Sequence, residues 1–197
     1  WDCSRDGIGD SPYPIPGGSE QDSFPLTNRT GTRTLTVCAS GGNFTSIQAA
    51  INTACSGDTI EVKSGTYYEH VRVNKSLILK GVGSPVVDGS GTGNAIAVTA
   101  DGCTIQGFVA RNSGNSHSGI GIYSKNNIIS NNTAIGNSGG IYLFYASGNI
   151  ISKNTANNNL ERGIYIVSSS SNIISDNLVT VNNSSINSFG IYLESSS

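Results

Sequence analysis

The second half of the chain repeats one short pattern, and this repeat limits the fold more than any other feature. Three copies and the start of a fourth span Ser118–Asn137, Ser138–Asn159, Leu160–Asn182 and Gly190–Leu193. An Asn-Ile-Ile-Ser run recurs about every 22 residues, a period typical of solenoids, beginning at Asn127, Asn149 and Asn172. Each copy holds three short apolar runs separated by Asn, Ser and Gly, which indicates three strands and no helix.

Strands repeated at this period stack on their counterparts one coil later, roughly 4.8 Å away. Alternation along each strand then aligns inward residues in columns. One predicted column is Ile122, Ile141, Ile164 and Ile191, and another is Ile129, Ile151 and Ile174. The predicted fold is all-β: a right-handed, single-stranded parallel β-helix of three strands per coil and about six coils, with a short N-terminal capping helix.

Asparagines recur where the chain turns between strands. One set is Asn132, Asn154 and Asn177, and the next is Asn137, Asn159 and Asn182. Asparagine tolerates left-handed backbone and can hydrogen-bond along a stack of identical residues. We therefore expect these asparagines to take the left-handed turn positions and to bond from coil to coil.

The first part of the chain differs from the repeats and divides into three predicted regions. Residues 1–30 form an irregular tail rich in Pro and Gly, residues 31–57 an entry cap, and residues 58–197 the β-helix. Within the cap, Thr45 and Gln48 fit a capping box, and Gly57 fits a helix C-terminus. Apolar residues at helical spacing predict a helix across the open end of the solenoid, namely Ile47, Ala50, Ile51 and Ala54.

Composition excludes two classes of partner. Charged residues are 12% of the chain and the net charge is −2, with no basic patch, so we expect no nucleic-acid partner. No apolar run approaches the roughly 20 residues of a membrane span, so we expect no span in this segment. The chain starts at Trp1 and has no Met, which suggests a processed product or a fragment.

The first ten residues have the spacing of a calcium loop. Oxygen ligands would come from Asp2, Ser4, Asp6, the Ile8 carbonyl and Asp10, with Gly7 at the sharp turn. Position 12 is Tyr13 instead of a bidentate Glu, so the alternative is a solvated acidic turn. Ca²⁺ is the one candidate cofactor, and no organic cofactor is expected.

The cysteines and the glycosylation motifs are indications of the cellular compartment of the protein. Cys38 and Cys55 flank one strand–helix unit and could form a disulfide, whereas Cys103 is expected to fill a core position in a strand. Sequons that fit a secreted, N-glycosylated protein occur at Asn28, Asn43, Asn74, Asn131, Asn182 and Asn183.

Two stretches of the chain support a family resemblance. Residues 35–89 resemble the start of pectin-lyase-like β-helix proteins through Ser46-Ile47-Gln48, Gly57-Asp58-Thr59-Ile60, Gly65-Thr66-Tyr67 and Asp88-Gly89. Residues 118–193 resemble the NosD-type, carbohydrate-binding and sugar-hydrolase β-helix repeat. The resemblance implies an extracellular setting, often in tandem-domain surface proteins of archaea and bacteria.

The tail resembles the segment that normally ends such a domain, yet it precedes the β-helix. Residues 1–26 carry Asp6–Asp10, Pro12-Tyr13 and Pro25-Leu26 in the matching order. This order suggests either a slice of a tandem array or a subunit whose tail caps a neighbouring copy. The expected partners are therefore other copies or tandem domains of the same protein.

Three functions are compatible with these features. The strict coils carry isolated charges instead of a repeated constellation, which disfavours a polysaccharide lyase or glycosidase. Four tyrosines are predicted in one outward column that could stack on cell-surface polysaccharide: Tyr123, Tyr142, Tyr165 and Tyr192. The alternative is that this column only stabilises the sheet. The preferred interpretation is a non-catalytic extracellular structural protein, with head-to-tail assembly into a filament, sheath or surface array.

Overall fold

The structure is a computed structural model of the whole chain, and it describes residues 13–14, 21–22, 32–38, 41–181 and 188–195. The chain divides into two compact units, Trp1–Arg33 and Thr34–Ser197. In the first unit, the described residues form two short antiparallel strands, β1 (Tyr13–Pro14) and β2 (Gln21–Asp22). The calcium ligands predicted between Asp2 and Asp10 lie outside the described residues.

The second unit contains one short helix and nineteen strands among its described residues. The first half comprises β3 (Thr34–Val37), α1 (Ile47–Thr53), β4 (Thr59–Lys63), β5 (Thr66–Tyr68), β6 (Val71–Val73), β7 (Ile78–Val82), β8 (Val86–Asp88), β9 (Ile96–Val98), β10 (Thr104–Gln106) and β11 (Val109–Arg111). The second half comprises β12 (Ser118–Ile122), β13 (Ile128–Ser130), β14 (Thr133–Ile135), β15 (Gly139–Phe144), β16 (Ile150–Ser152), β17 (Thr155–Asn159), β18 (Arg162–Val167), β19 (Ile173–Ser175), β20 (Leu178–Val181) and β21 (Phe189–Glu194).

The strands form three parallel sheets that the chain visits in rotation. Sheet A has the order β3-β4-β7-β10-β13-β16-β19, sheet B β5-β8-β11-β14-β17-β20, and sheet C β6-β9-β12-β15-β18-β21. This confirms a parallel β-helix with three strands per coil. The solenoid has about seven turns instead of about six, because β3 precedes α1 and still pairs with β4 as an extra rung.

The inward column of sheet A confirms the predicted stacking. Register pairs Ile129 with Ile151 and Ile151 with Ile174, and it extends the column back to β3. The full column is Leu35, Ile60, Leu79, Ile105, Ile129, Ile151 and Ile174. The five central members are completely buried, so the column forms one side of the core.

In sheet C the predicted column was wrong in its first member, Ile122, and in the burial of its last member, Ile191. Ile141 and Ile164 do stack and are buried, but the residue below Ile141 is Ile120. Ile122 belongs to the adjacent column, because Ser118–Ile122 contains Gly-Ile twice and the hydrogen bonds select the first pair. Ile191 joins the column but is 51% exposed, since β21 is the last described rung.

Three asparagine ladders run along the corners of the solenoid. Asn127 donates its backbone N–H and its Nδ2 to Oδ1 of Asn149, both at 2.9 Å. Asn149 repeats this arrangement on Asn172 at 2.8 and 3.1 Å. The second ladder is Asn132, Asn154 and Asn177, and the third contains Asn137 and Asn159. Asn182 lies outside the described residues.

The ladders begin on backbone donors, and their left-handed residues are not the asparagines themselves. Cys103, Phe108 and Ser113 each donate a backbone N–H to the first asparagine of a ladder. Positive φ occurs one position earlier, at Asn126, Asn131, Gly136, Gly148, Lys153, Asn158, Ser171 and Asp176. The prediction of left-handed ladder asparagines was therefore wrong, and the preceding residue makes the turn that directs each asparagine inward.

The predicted capping helix is present with a different N-cap. Ser46, not Thr45, is the N-cap, and its side chain accepts from the N–H of Ala49. The four apolar residues expected on the inner face are all buried. The Glu69 carboxylate accepts from the N–H groups of Ile47 and Gln48, and Ser46 Oγ donates to it as well. The first coil therefore anchors the start of α1.

The end of α1 is also held from the first coil. Lys75 Nζ donates to the carbonyls of Ile51, Asn52 and Ala54 at 3.2, 2.8 and 2.8 Å. Gly57 does not end the helix, because the backbone is already extended at Ala54. Instead, Gly57 donates its N–H to the Ser76 carbonyl.

The predicted disulfide between Cys38 and Cys55 is wrong. Cys55 is disulfide-bonded, whereas Cys38 and Cys103 keep their thiols. Cys38 follows β3 and donates its N–H to the Phe44 carbonyl, so it lies against the loop that precedes α1. Cys55 lies after the other end of the helix. Cys103 is buried as expected but directly precedes strand β10, and burial raises the pKa of its thiol.

Replacing Asn149 with Ala tests the first ladder. The change leaves the buried N–H of Asn127 and the carbonyl of Ser124 without their partners. We expect the free energy of unfolding to fall by about 2–4 kcal/mol, measured by urea denaturation. Exposed Asn74→Ala is the matched control, with an expected change of about 0.5 kcal/mol or less. Equal effects of the two changes would contradict the ladder's role.

Candidate functional site

A groove lies where the chain passes from sheet B into sheet C. Its volume is about 270 Å³, and its lining residues come from three successive coils: Ser116, His117, Ser118, Ser138, Gly139, Tyr142, Glu161, Arg162 and Tyr165. His70 and His117 both line an adjacent cavity of about 290 Å³. The groove and this cavity share His117, so polar groups from several rungs meet on one face.

One added residue in the last of these coils supplies the charged pair of the groove. Asn137 and Asn159 are 22 residues apart, whereas the paired residues Ile141 and Ile164 are 23 apart. The addition therefore falls between Asn159 and Ile164, and this segment carries Glu161 and Arg162. The coil below places the small residue Ser138 at this corner.

Glu161 and Arg162 are engaged with each other and with the coil below. Glu161 Oε1 accepts from Ser138 Oγ at 2.9 Å, and Oε2 accepts from Arg162 Nη1 at 3.3 Å. The Arg162 guanidinium lies over the ring of Tyr165 at 4.1 Å and over that of Tyr192 at 5.2 Å. Such a cation–π arrangement fixes the guanidinium at the wall of the groove.

The aromatic column contains three of the four predicted tyrosines. Register aligns Tyr142, Tyr165 and Tyr192, with ring centroids 5.1 and 5.4 Å apart. Tyr123 was wrongly assigned to this column, because Gly121 is the residue that pairs with Tyr142. A Cβ at Gly121 would lie 2.9 Å from the Tyr123 ring, so the ring folds back over this glycine.

This fold-back gives Tyr123 a different geometry from the other rings. Its ring is 6.2 Å from that of Tyr142 at an interplanar angle of 80°, and Asn94 Nδ2 donates to its hydroxyl at 2.8 Å. Tyr142 and Tyr165 are instead stacked on each other at 27°. Their facing surfaces are therefore covered, and their edges and hydroxyls are what the groove offers a ligand.

Burial raises the pKa of the tyrosine hydroxyls that line the groove. Burial, followed by the hydrogen bond that Tyr165 donates to Glu194, raises the pKa of Tyr165 to about 12. Burial, with the neighbouring Tyr123 and Glu194, also raises the pKa of Tyr142. Both hydroxyls are therefore neutral donors and acceptors in neutral solution.

His70 and His117 were not singled out from the sequence as residues of a site. His70 directly precedes β6, His117 precedes β12, and Glu161 precedes β18. In these coils, the residue before the sheet C strand therefore lines the groove or its adjacent cavity. Aligning the repeats on this boundary, instead of on Gly-Ile-Tyr, would have indicated these side chains.

The remaining predicted sites have mixed outcomes. Among the described residues, no group of three His, Cys, Asp or Glu side chains could hold a metal ion, and the calcium loop stays a prediction. The sequon asparagines Asn43, Asn74 and Asn131 are exposed. Those at Asn28, Asn182 and Asn183 lie outside the described residues. The described part of the chain contains no helix that could cross a membrane.

The fold is thus that of a parallel β-helix protein with a polar groove on one sheet. Residues 69–197 match the family described as right-handed β-helix region, and the chain belongs to this family. The right hand predicted for the solenoid is that of the family. The comparison with curated proteins found no match to the chain.

The raised pKa of Tyr165 predicts a pH dependence. A phenol whose folded pKa exceeds its unfolded value of about 10 contributes stability that is complete below pH 10 and lost as the pH rises towards 12. Absorbance titration should show a tyrosine phase near pH 12 that Tyr165→Phe removes. Tyr68→Phe, at a side chain 71% exposed, should leave that phase in place. A titration phase near pH 12 that persists in Tyr165→Phe would contradict its assignment to Tyr165.

Proposed function

We propose that the protein is a non-catalytic extracellular surface module that binds carbohydrate in the groove of sheet C. The observation that supports this most directly is the meeting of Glu161, Arg162, Ser138 and His117 with the tyrosine column on one open face. A sugar presents hydroxyls along its rim and C–H groups on its faces. The converging polar side chains and tyrosine hydroxyls can hydrogen-bond the sugar hydroxyls, and the exposed edges of the stacked rings can contact the C–H groups.

The number of carboxylates that line the groove favours carbohydrate binding over catalysis. Hydrolysis of a glycoside generally uses two carboxyl groups about 5–10 Å apart. Among the lining residues, Glu161 is the carboxylate, and it is occupied by Ser138 and Arg162. A polysaccharide lyase or hydrolase is the alternative, because β-helices also support catalysis.

The extracellular setting is part of the same proposal. Disulfides persist in oxidising compartments, and Cys55 is disulfide-bonded. Three sequons are exposed on the solenoid, at Asn43, Asn74 and Asn131. We propose on the same grounds that the protein is of the NosD type and part of a microbial tandem-domain surface protein.

Tyr142→Ala tests the carbohydrate proposal on a screen of neutral and acidic oligosaccharides. We expect the wild-type protein to bind at least one of them, and the variant to bind it at least about tenfold more weakly, because the ring walls the groove. Tyr68→Ala, on sheet B, is the control and should bind as the wild type does. Thermal melting verifies that both variants are folded. No binding by the wild type, or unchanged binding by Tyr142→Ala, would contradict the proposal.

End-to-end assembly is a second candidate function, supported by the last described rung. Ile191 and Leu193 of β21 are 51% and 64% exposed, and an exposed strand can template another layer. The opposite end differs, because α1 packs on β3, β4 and β6. We propose that residues 1–26 of a neighbouring copy, or a further tandem domain, cover β21.

Deleting residues 1–26 tests this assembly. The β-helix unit keeps its own core, so we expect it to stay folded by circular dichroism. If the tail caps a neighbour, light scattering should show elongated species of the full chain and monomers of the truncated one. Elongation that persists after the deletion would contradict capping by the tail.

A further inference from the structure

We infer that the groove of sheet C selects uncharged saccharides over acidic ones. This inference rests on the proposed carbohydrate function and specifies its ligand class. The basis is the electrostatic balance of the groove: its guanidinium is already paired with Glu161, and Glu161 is the more exposed of the two charges.

Arg162 is the guanidinium that could attract an anion, but it is already engaged. Its Nη1 lies 3.3 Å from Glu161 Oε2, and its plane rests on the ring of Tyr165, with Tyr192 close by. Its Nε is buried without a hydrogen-bond partner. An incoming carboxylate or sulfate would therefore share this guanidinium with Glu161, whose like charge opposes it.

Glu161 is the more accessible member of the pair. Its side chain is 48% exposed, against 28% for Arg162. Each carboxylate oxygen has accepted one hydrogen bond, from Ser138 or from Arg162, and each retains a further lone pair. Two neighbouring sugar hydroxyls can donate to these oxygens, whereas an anionic sugar would meet a like charge.

The histidines add an acceptor and no free donor nitrogen. His117 Nδ1 lies 2.8 Å from the Asn115 carbonyl, which can only accept, so in the neutral imidazole Nδ1 carries the proton and Nε2 can accept from a ligand hydroxyl. In His70, Nδ1 donates to the Asn94 carbonyl and Nε2 accepts from Thr92 Oγ1. The adjacent cavity is lined by one arginine, Arg72, whose Nε contacts Thr99 Oγ1 at 3.4 Å.

The test uses oligosaccharide pairs that differ only at C6. Suitable probes are β-1,4-mannohexaose with the mannuronate hexamer, and cellohexaose with the corresponding glucuronate hexamer. Titration calorimetry at low ionic strength should show the neutral member of a bound pair binding at least about tenfold more tightly, a difference that narrows in 1 M salt because the repulsion is screened. Equal or tighter binding of the acidic member, while the neutral one also binds, overturns this inference and leaves the proposed function intact. Binding of no probe overturns both.

Glu161→Gln identifies the residue responsible. The change removes the repulsive charge and leaves Arg162 without its anionic partner, so affinity for the acidic member should rise severalfold while that for the neutral member falls. Glu61→Gln is the control, because Glu61 pairs with Lys63 at 2.9 Å on sheet A. The control should keep the wild-type preference. A Glu161→Gln variant with the wild-type preference overturns the assignment.

Discussion

The whole solenoid depends on hydrogen bonding at its corners. Each coil must turn three times while its backbone is partly buried, and buried N–H groups need partners. The asparagine ladders supply them, because one Oδ1 accepts both the backbone N–H and the Nδ2 of the asparagine one coil earlier. Each ladder therefore fixes the corner and the coil-to-coil register together.

A fixed corner permits variation immediately outside it. The residue before each ladder asparagine makes the left-handed turn and faces solvent, so it varies among Asn, Gly, Lys, Ser and Asp. Between the third ladder and sheet C, one coil accommodates an added residue without disturbing the pairing of Ile141 with Ile164. The groove arises in this tolerant segment, and its charged pair lies on a rigid support.

At the N-terminal end of the solenoid, charged side chains as well as apolar packing hold the capping helix α1 in place. Glu69 accepts from the N-terminal N–H groups of α1, and Lys75 donates to its last carbonyls, so the first coil satisfies both ends of a seven-residue helix. These charges match the polarity of the helix dipole. A helix this short is marginal in isolation, which makes its docking dependent on the coil that holds it.

The sequence by itself determined the solenoid, the three strands per coil, the sheet A column and the buried face of α1. Periodicity specifies all of these, because each depends on spacing along the chain. Only the tertiary structure decided which Gly-Ile pair of Ser118–Ile122 lies under Ile141, and hence that Tyr123 folds over Gly121. It also decided that Ser46 caps α1 and that His117, Glu161 and Arg162 share a groove. Most of these features depend on contacts between residues 20 or more positions apart, such as Ile120 with Ile141 and Ser46 with Glu69, and a local pattern does not specify such contacts.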